Sequence, residues 1–268
     1  MAARRAAGAV REPAPANFSR CPVGSAARPR AAGPGARDSR ERLEREDAVE
    51  YRFRFDVVWN NWGFIMEGLS LTLLISFLAL AISMALGLVV AVLRLSRNRG
   101  LGFLAAAYIE IFRDTPVLVQ LFWVYYVLPI LLGIQISAFN AALLGLTLHS
   151  AAFLGEIYRA GIQAVPEGHK EAAKVLGLSP LQTFIRIVLP QAMRIVLPPM
   201  VNNFVDLVKL SSLASVFAVG EITRKATELS ASTFRPLEIF TCIALIYFFI
   251  CWPLSLAIRF LERRLQAR

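Results

Sequence analysis

From Gly68 to Leu93 the chain carries no Asp, Glu, Lys or Arg, and from Thr115 to Gly155 it again carries none, with His149 the single histidine. Each run exceeds the roughly 20 residues that a helix needs to cross ~30 Å of hydrocarbon. A composition that is 56% hydrophobic agrees, being above that of ordinary soluble domains. In lipid, every backbone polar group must be satisfied within the fold, so such runs are expected to be helices. The expected class is an all-α integral membrane protein.

The formal charge of +10 does not indicate nucleic acid, because the cations lie beside the apolar runs. Arg94, Arg97 and Arg99 follow the first; Arg159, Lys170, Lys174, Arg186 and Arg194 flank a polar insert; Arg259, Arg263, Arg264 and Arg268 close the chain. This is the positive-inside pattern, and there is no basic stripe interleaved with aromatics. Cys21 lies in a tail, and Cys242 and Cys251 are nine residues apart, on opposite faces of a helix turning ~100° per residue. No C-x-x-C spacing suggests a metal.

Residues 1–48 are rich in Arg, Ala, Gly and Pro, and are expected to be a disordered tail; a translation start near Val49 is a further hypothesis. Residues 49–65 read as an amphipathic, interfacial lead-in. Spans are expected at about 66–93, 115–132, 138–160, 195–220 and 238–258, with Thr115 capping the second and Pro116 in its first turn. The stretch 221–238 reads as a mixed-charge loop. Counting Lys and Arg on alternate sides of these five spans puts the C-terminus and the insert in the cytoplasm and the N-terminus outside.

The insert, 161–190, has its own punctuation. Pro166 starts a helix, Gly177 stops it in a left-handed conformation, and Ser179-Pro180 starts a second helix expected to run to Pro190. Within it, Glu171-Ala172-Ala173, Gly177, Ile187, Leu189 and Pro190 fit the pattern E-A-A-x3-G-x9-I-x-L-P. That pattern resembles the cytoplasmic signature of permeases in binding-protein-dependent ATP-binding-cassette importers. The stretches "EIFRDTPVLVQLF", "GEIYRAGIQAVPEGHKEAA" and "LPQAMRIVLPPMVNNFVDLVKLSSL" resemble its polar amino-acid branch, over about residues 51–265.

The resemblance implies a type I importer permease whose insert docks into an ATPase cleft through Glu171, Ala172, Ala173, Gly177, Ile187, Leu189, Pro190 and the adjoining His169. It implies two ATP-binding-cassette ATPase subunits that hold ATP and Mg, a second permease subunit, the same or related, an extracytoplasmic substrate-binding protein, and a place in a bacterial inner membrane. Two positions depart from the family pattern. His169 stands where Gln is usual, and Lys209-Leu210-Ser211-Ser212-Leu213 stands where Lys-Asp-Thr-Ser-Leu is common. Asp206, one turn earlier, is a substitute partner for Lys209.

Ionisable and amide side chains in spans usually face a bundle interior or a water-filled path. Asn202, Asn203, Asp206 and Lys209, with Ser211 and Ser212 after them, are read as lining a translocation pathway; His149 and Ser150 are further candidates, and structural pairing is the competing role. Glu156 with Arg159 is read as a gate or as scaffold, and Glu110 with Arg113 as a structural ion pair. No G-x-x-x-x-G-K-[ST] loop is present, so ATP hydrolysis by that route belongs to another subunit, and no serine elbow or metal cluster supports an enzyme. The alternative function is an ion-gradient-driven transporter or channel for a small polar solute; a membrane anchor without transport leaves Asn202 to Lys209 unexplained.

Overall fold

The first uncharged run folds into one helix, α2 (Trp62–Arg94), preceded by the short α1 (Asp56–Asn60). The structure, a computed structural model, describes residues 52–266. The expectations for residues 1–48 and for a start near Val49 lie outside the described residues, and α2 already begins inside the expected lead-in. The remaining helices are α3 (Arg99–Asp114), α4 (Val117–Leu132), α5 (Ala138–Gln163), α6 (Glu167–Val175), α7 (Pro180–Phe217), α8 (Ile222–Thr233) and α9 (Pro236–Gln266). Every regular element among the described residues is helical.

Helices α2, α5, α7 and α9 are each long and apolar enough to cross a bilayer. The expected second span is not a single helix of that kind. Val117–Leu132 qualifies only together with α3, and the two meet at a bend of 110°, the geometry of a broken span or of a re-entrant segment. Thr115 does not cap the start of α4 but ends α3: its backbone is extended (φ −104, ψ 144), as a residue before proline must be, and its hydroxyl donates back to the Ile111 carbonyl at 2.6 Å.

The insert differs from expectation at its second helix, which does not stop at Pro190. It runs on as α7 to Phe217, absorbing the expected fourth span. A proline removes one backbone donor and its ring clashes with the carbonyl four residues back. Here the helix widens into a π-turn over Phe184–Val188 immediately before Pro190, where that carbonyl lies. The same device occurs at Trp123–Val127 before Pro129 in α4.

The stretch after Ala218 is also not the expected loop, since it contains α8. Glu221 caps this helix by accepting from the Arg224 amide at 2.8 Å, and Ile222, Ala226 and Leu229 bury one face. The Glu221 carboxylate is fully buried, meeting the Thr72 and Tyr247 hydroxyls at 3.4 Å each, and burial pushes its pKa up from the ordinary value.

Large apolar side chains of α2 such as Leu74, Phe77, Leu88 and Val92 point outward, whereas Gly68, Thr72, Ser76, Ala79, Ser83, Gly87 and Ala91 are buried. Small residues at this three- and four-residue spacing let helix backbones approach closely in a membrane, where lipid is as apolar as leucine. At Gly87 an added Cβ would lie 2.8 Å from Leu154 Cβ and 3.1 Å from the Gly155 nitrogen, so α2 and α5 touch almost backbone to backbone. A core of Ile75, Leu121, Leu146, Leu207 and Phe217 joins α2, α4, α5 and α7, which sets the walls of the site.

Candidate functional site: a polar cavity between α4, α5 and α7

A cavity of about 250 Å³ is lined by Val117 of α4, by His149, Ser150 and Phe153 of α5, and by Asn203, Asp206, Leu207, Lys209 and Leu210 of α7. Asn203, Asp206 and Lys209 share a wall because residues three apart lie on neighbouring turns. Asp206 and Lys209 form an ion pair at 2.8 Å with both side chains about half exposed. This is the substitute pairing expected for the missing acidic residue beside Lys209.

Two hydrogen-bonded chains hold the other polar groups. Ser150 donates to Asn203 Oδ1 at 2.5 Å, and Ser83 lies 3.0 Å from the Ser150 hydroxyl, so α2, α5 and α7 are linked through one buried relay. Asn203 makes no other hydrogen bond among the described residues, leaving its amide nitrogen for the cavity. Gln120 donates to the Phe112 and Thr115 carbonyls at 2.8 and 2.9 Å. These are pure acceptors, so its amide oxygen must face His149 Nδ1, 3.2 Å away, and that nitrogen carries the proton. Gln120 thereby ties the α3–α4 bend to the cavity wall.

The other candidates divide. Asn202 is exposed and lines a different groove with Pro198, Pro199, Ser255, Arg259 and Glu262, because it sits ~100° around the helix from Asn203. Ser211 is buried and donates to the Val208 carbonyl, and Ser212 donates to that of Lys209; both hydroxyls are spent on their own helix. Glu156 and Arg159 are paired, with Arg159 also reaching Gln163. The expected Glu110–Arg113 pair is not formed among the described residues. Arg113 instead lies over the Phe153 ring, 5.6 Å from its centroid, a cation–π contact beside the cavity.

In the insert, Gly177 adopts φ +74, and the Leu178 and Gly177 amides bond the Ala173 and Lys174 carbonyls at 3.0 Å, closing α6 in a Schellman turn. Ser179 and Gln182 then form a capping box. Ala173 is buried at the base, while Glu171 and Ala172 are exposed, and Glu171 has no ion-pair partner among the described residues. Val175 and Leu176 are 88% and 76% exposed, and Leu181 and Ile185 are also outward. Ile187 is half-buried, Leu189 and Pro190 exposed.

The family model described as "binding-protein-dependent transport system inner membrane component" matches residues 83–267. The chain belongs to that family. Among relatives of this permease, the probable glutamine ABC transporter permease protein GlnM of Bacillus subtilis (strain 168) is 39% identical over 210 residues, covering 78% of this chain and 97% of GlnM. The arginine transport system permease protein ArtQ of the same organism is 38% identical, over 76% of this chain and 93% of ArtQ. Among solved structures, the crystal structure of an amino acid ABC transporter with histidines superposes with a TM-score of 0.75 at 34% identity, over 80% of this chain and all of that one.

Membership makes this permease a transport component of a bacterial inner membrane, and sets aside the ion-gradient and anchoring alternatives. In this class ATP hydrolysis lies in separate subunits, and a binding protein is a general partner. Sequence reasoning missed Ser83, Gln120 and Gln191. Gln120 left a signal, as the single side-chain amide between Thr115 and Ile134, whereas Ser83 is one of several serines in α2 and nothing local marks it.

Proposed function

We propose that the cavity between α4, α5 and α7 is the passage for a polar, zwitterionic amino acid in an ATP-driven uptake transporter. The observation that carries this is the convergence, in one cavity, of an Asp206–Lys209 pair, the Asn203 amide, Ser150 and His149. A carboxylate and an ammonium held together offer each end of a zwitterion an opposite charge at no net charge. The names of the relatives, glutamine and arginine permeases among them, support an amino acid as cargo.

In this reading the insert faces the cytoplasm together with the C-terminus, and the start of α2 faces outside. Arg94 closes α2, Arg159 lies in the last turns of α5, Arg186 and Arg194 lie in the first turns of α7 and Arg259 lies late in α9, an alternation that supports that orientation. Two ATPase subunits, carrying ATP and Mg, grip the exposed Glu171, Ala172, Val175, Leu176 and Gly177, in a complex with a second permease subunit and an external binding protein. An outward apolar surface rimmed by charge is what a docking contact requires.

The test is uptake by proteoliposomes holding the permease with its ATPase, comparing wild type with Glu171→Ala and Asp206→Asn. Under this reading E171A hydrolyses ATP with reduced uptake per ATP, while D206N lowers uptake without loss of ATPase association. Full uptake by both variants would refute it.

A further inference from the structure

Helix α7 is common to the insert and the cavity wall, and it is interrupted between them by the π-turn Phe184–Val188 and Pro190. A π-turn lies where regular backbone bonding is disturbed, and is therefore a point of local give. Besides its direct connection to α5, α6 can move the cavity wall through α7 where it is tied to α7 beyond this interruption. One side-chain hydrogen bond makes that tie. His169 Nδ1 of α6 lies 2.8 Å from Gln191 Oε1, on the cavity side of Pro190. Among the described residues no other side-chain hydrogen bond joins α6 to α7.

The chemistry fixes its direction. Gln191 Nε2 donates to the Ile187 carbonyl, inside the π-turn, at 3.0 Å, so the amide oxygen must point at His169 and accept from Nδ1–H. Gln191 therefore spans the interruption, with one end on the π-turn and the other on α6. Ala173, one turn further along α6, is fully buried, keeping the helix seated beside this contact.

Resting on the coupling role proposed above, we propose that His169 and Gln191 form a latch that makes α6 and the cavity segment of α7 move as one body. His169 is a positioning residue. It holds Gln191 across the π-turn, and without it movement of α6 is absorbed at Phe184–Val188. The required chemistry is a donor on residue 169 and an amide on residue 191. A glutamine at 169 can supply the same donor through its Nε2, and alanine cannot.

The test uses the permease purified with its ATPase partner. Spin labels are placed on cysteines introduced at Ile130 and Val216, both exposed and at the end of the bundle away from the insert, with Cys21, Cys242 and Cys251 changed to Ser. The label separation is followed against MgATP with vanadate. In His169→Ala, read on the ATPase-bound fraction alone, the population switched at sub-saturating ATP should fall about threefold to tenfold, the range that one net hydrogen bond spans. His169→Gln should restore it, and Gln191→Leu should match His169→Ala without adding to it. A wild-type response in His169→Ala, or no rescue by His169→Gln, overturns the latch. A wild-type permease that binds no ATPase, or shows no ATP-driven change, overturns the coupling role itself and the latch with it.

Discussion

Replacing Gly68 with alanine tests the backbone contact between α2 and α8. A Cβ built at Gly68 lies 2.9 Å from Ile222 Cα, 3.0 Å from the Ile222 nitrogen and 2.8 Å from Lys225 Cγ, whereas ordinary contact begins at 3.4 Å. Lys225 can swing away, but Ile222 is backbone in the first turn of α8, so the helix must retreat by about half an ångström or more, and overpacking of this kind costs ~1–3 kcal/mol. The retreat also stretches the bond from the Ile222 amide to Thr72 Oγ1, now 3.2 Å, and the 3.4 Å contact from Thr72 to buried Glu221. Loss of one such buried bond adds ~1 kcal/mol, so Gly68→Ala should destabilise by about 2–4 kcal/mol. The control is Gly63→Ala in the same helix, where nothing lies within 4 Å and the added methyl should be neutral or stabilising by up to ~1 kcal/mol. Apparent melting temperatures in detergent would rank them. If Gly68→Ala melts no lower than Gly63→Ala, the close packing argued here is wrong.

Ser150→Ala should cost about 1–3 kcal/mol, because it leaves buried Asn203 Oδ1 without a donor, while Ser83 keeps its bond to the Leu80 carbonyl; SDS titration of the purified permease measures this, and a cost near zero would remove the relay as a structural element. Because burial raises the Glu221 pKa, the folded protein holds this proton more tightly than the unfolded chain. Stability contributed by protonated Glu221 is therefore present at low pH and lost as pH rises from about 4.5 through the raised value, and Glu221→Gln should flatten the melting temperature over that window. Asp206→Asn and Lys209→Gln each leave one charge unbalanced at the cavity, so the double variant should take up more amino acid than either single one; additive losses would show that the pair does not act as a unit.

Several features were legible in the sequence because they depend only on near neighbours. The uncharged run from Gly68 fixes α2 by length, Gly177 is read as left-handed because the helix formers stop there, and Ser179-Pro180 marks a helix start by its side-chain chemistry. Asn203, Asp206 and Lys209 share a face by spacing alone. The misreadings share one cause, a local signal overridden by tertiary packing. Pro190 reads as a stop, yet a π-turn accommodates it, and Thr115-Pro116 reads as the opening of a span, yet marks the bend between α3 and α4. Spacing permits a Glu110–Arg113 pair, but the Phe153 ring draws Arg113 elsewhere. α8 was legible in principle, since Ile222, Ala226 and Leu229 repeat at helical spacing, but Glu221 reads as a loop charge until its buried capping role is seen. The Gln120–His149 contact joins residues 29 positions apart and has no local trace.

The course of α7 beyond Pro190 gives the permease a lever. Asp206 lies 16 residues beyond Pro190, about 24 Å along the helix axis at 1.5 Å per residue. A tilt of about 10° at Pro190 carries Asp206 sideways by about 4 Å, more than the length of its bond to Lys209 and more than the width of a water molecule. Gly161, whose absent Cβ would fall 2.3 Å from Val196 Cγ2, sits between the pivot and the load. Modest rotation near the insert is thus geometrically sufficient to change the width of the cavity by the size of a small solute, with no helix having to unfold.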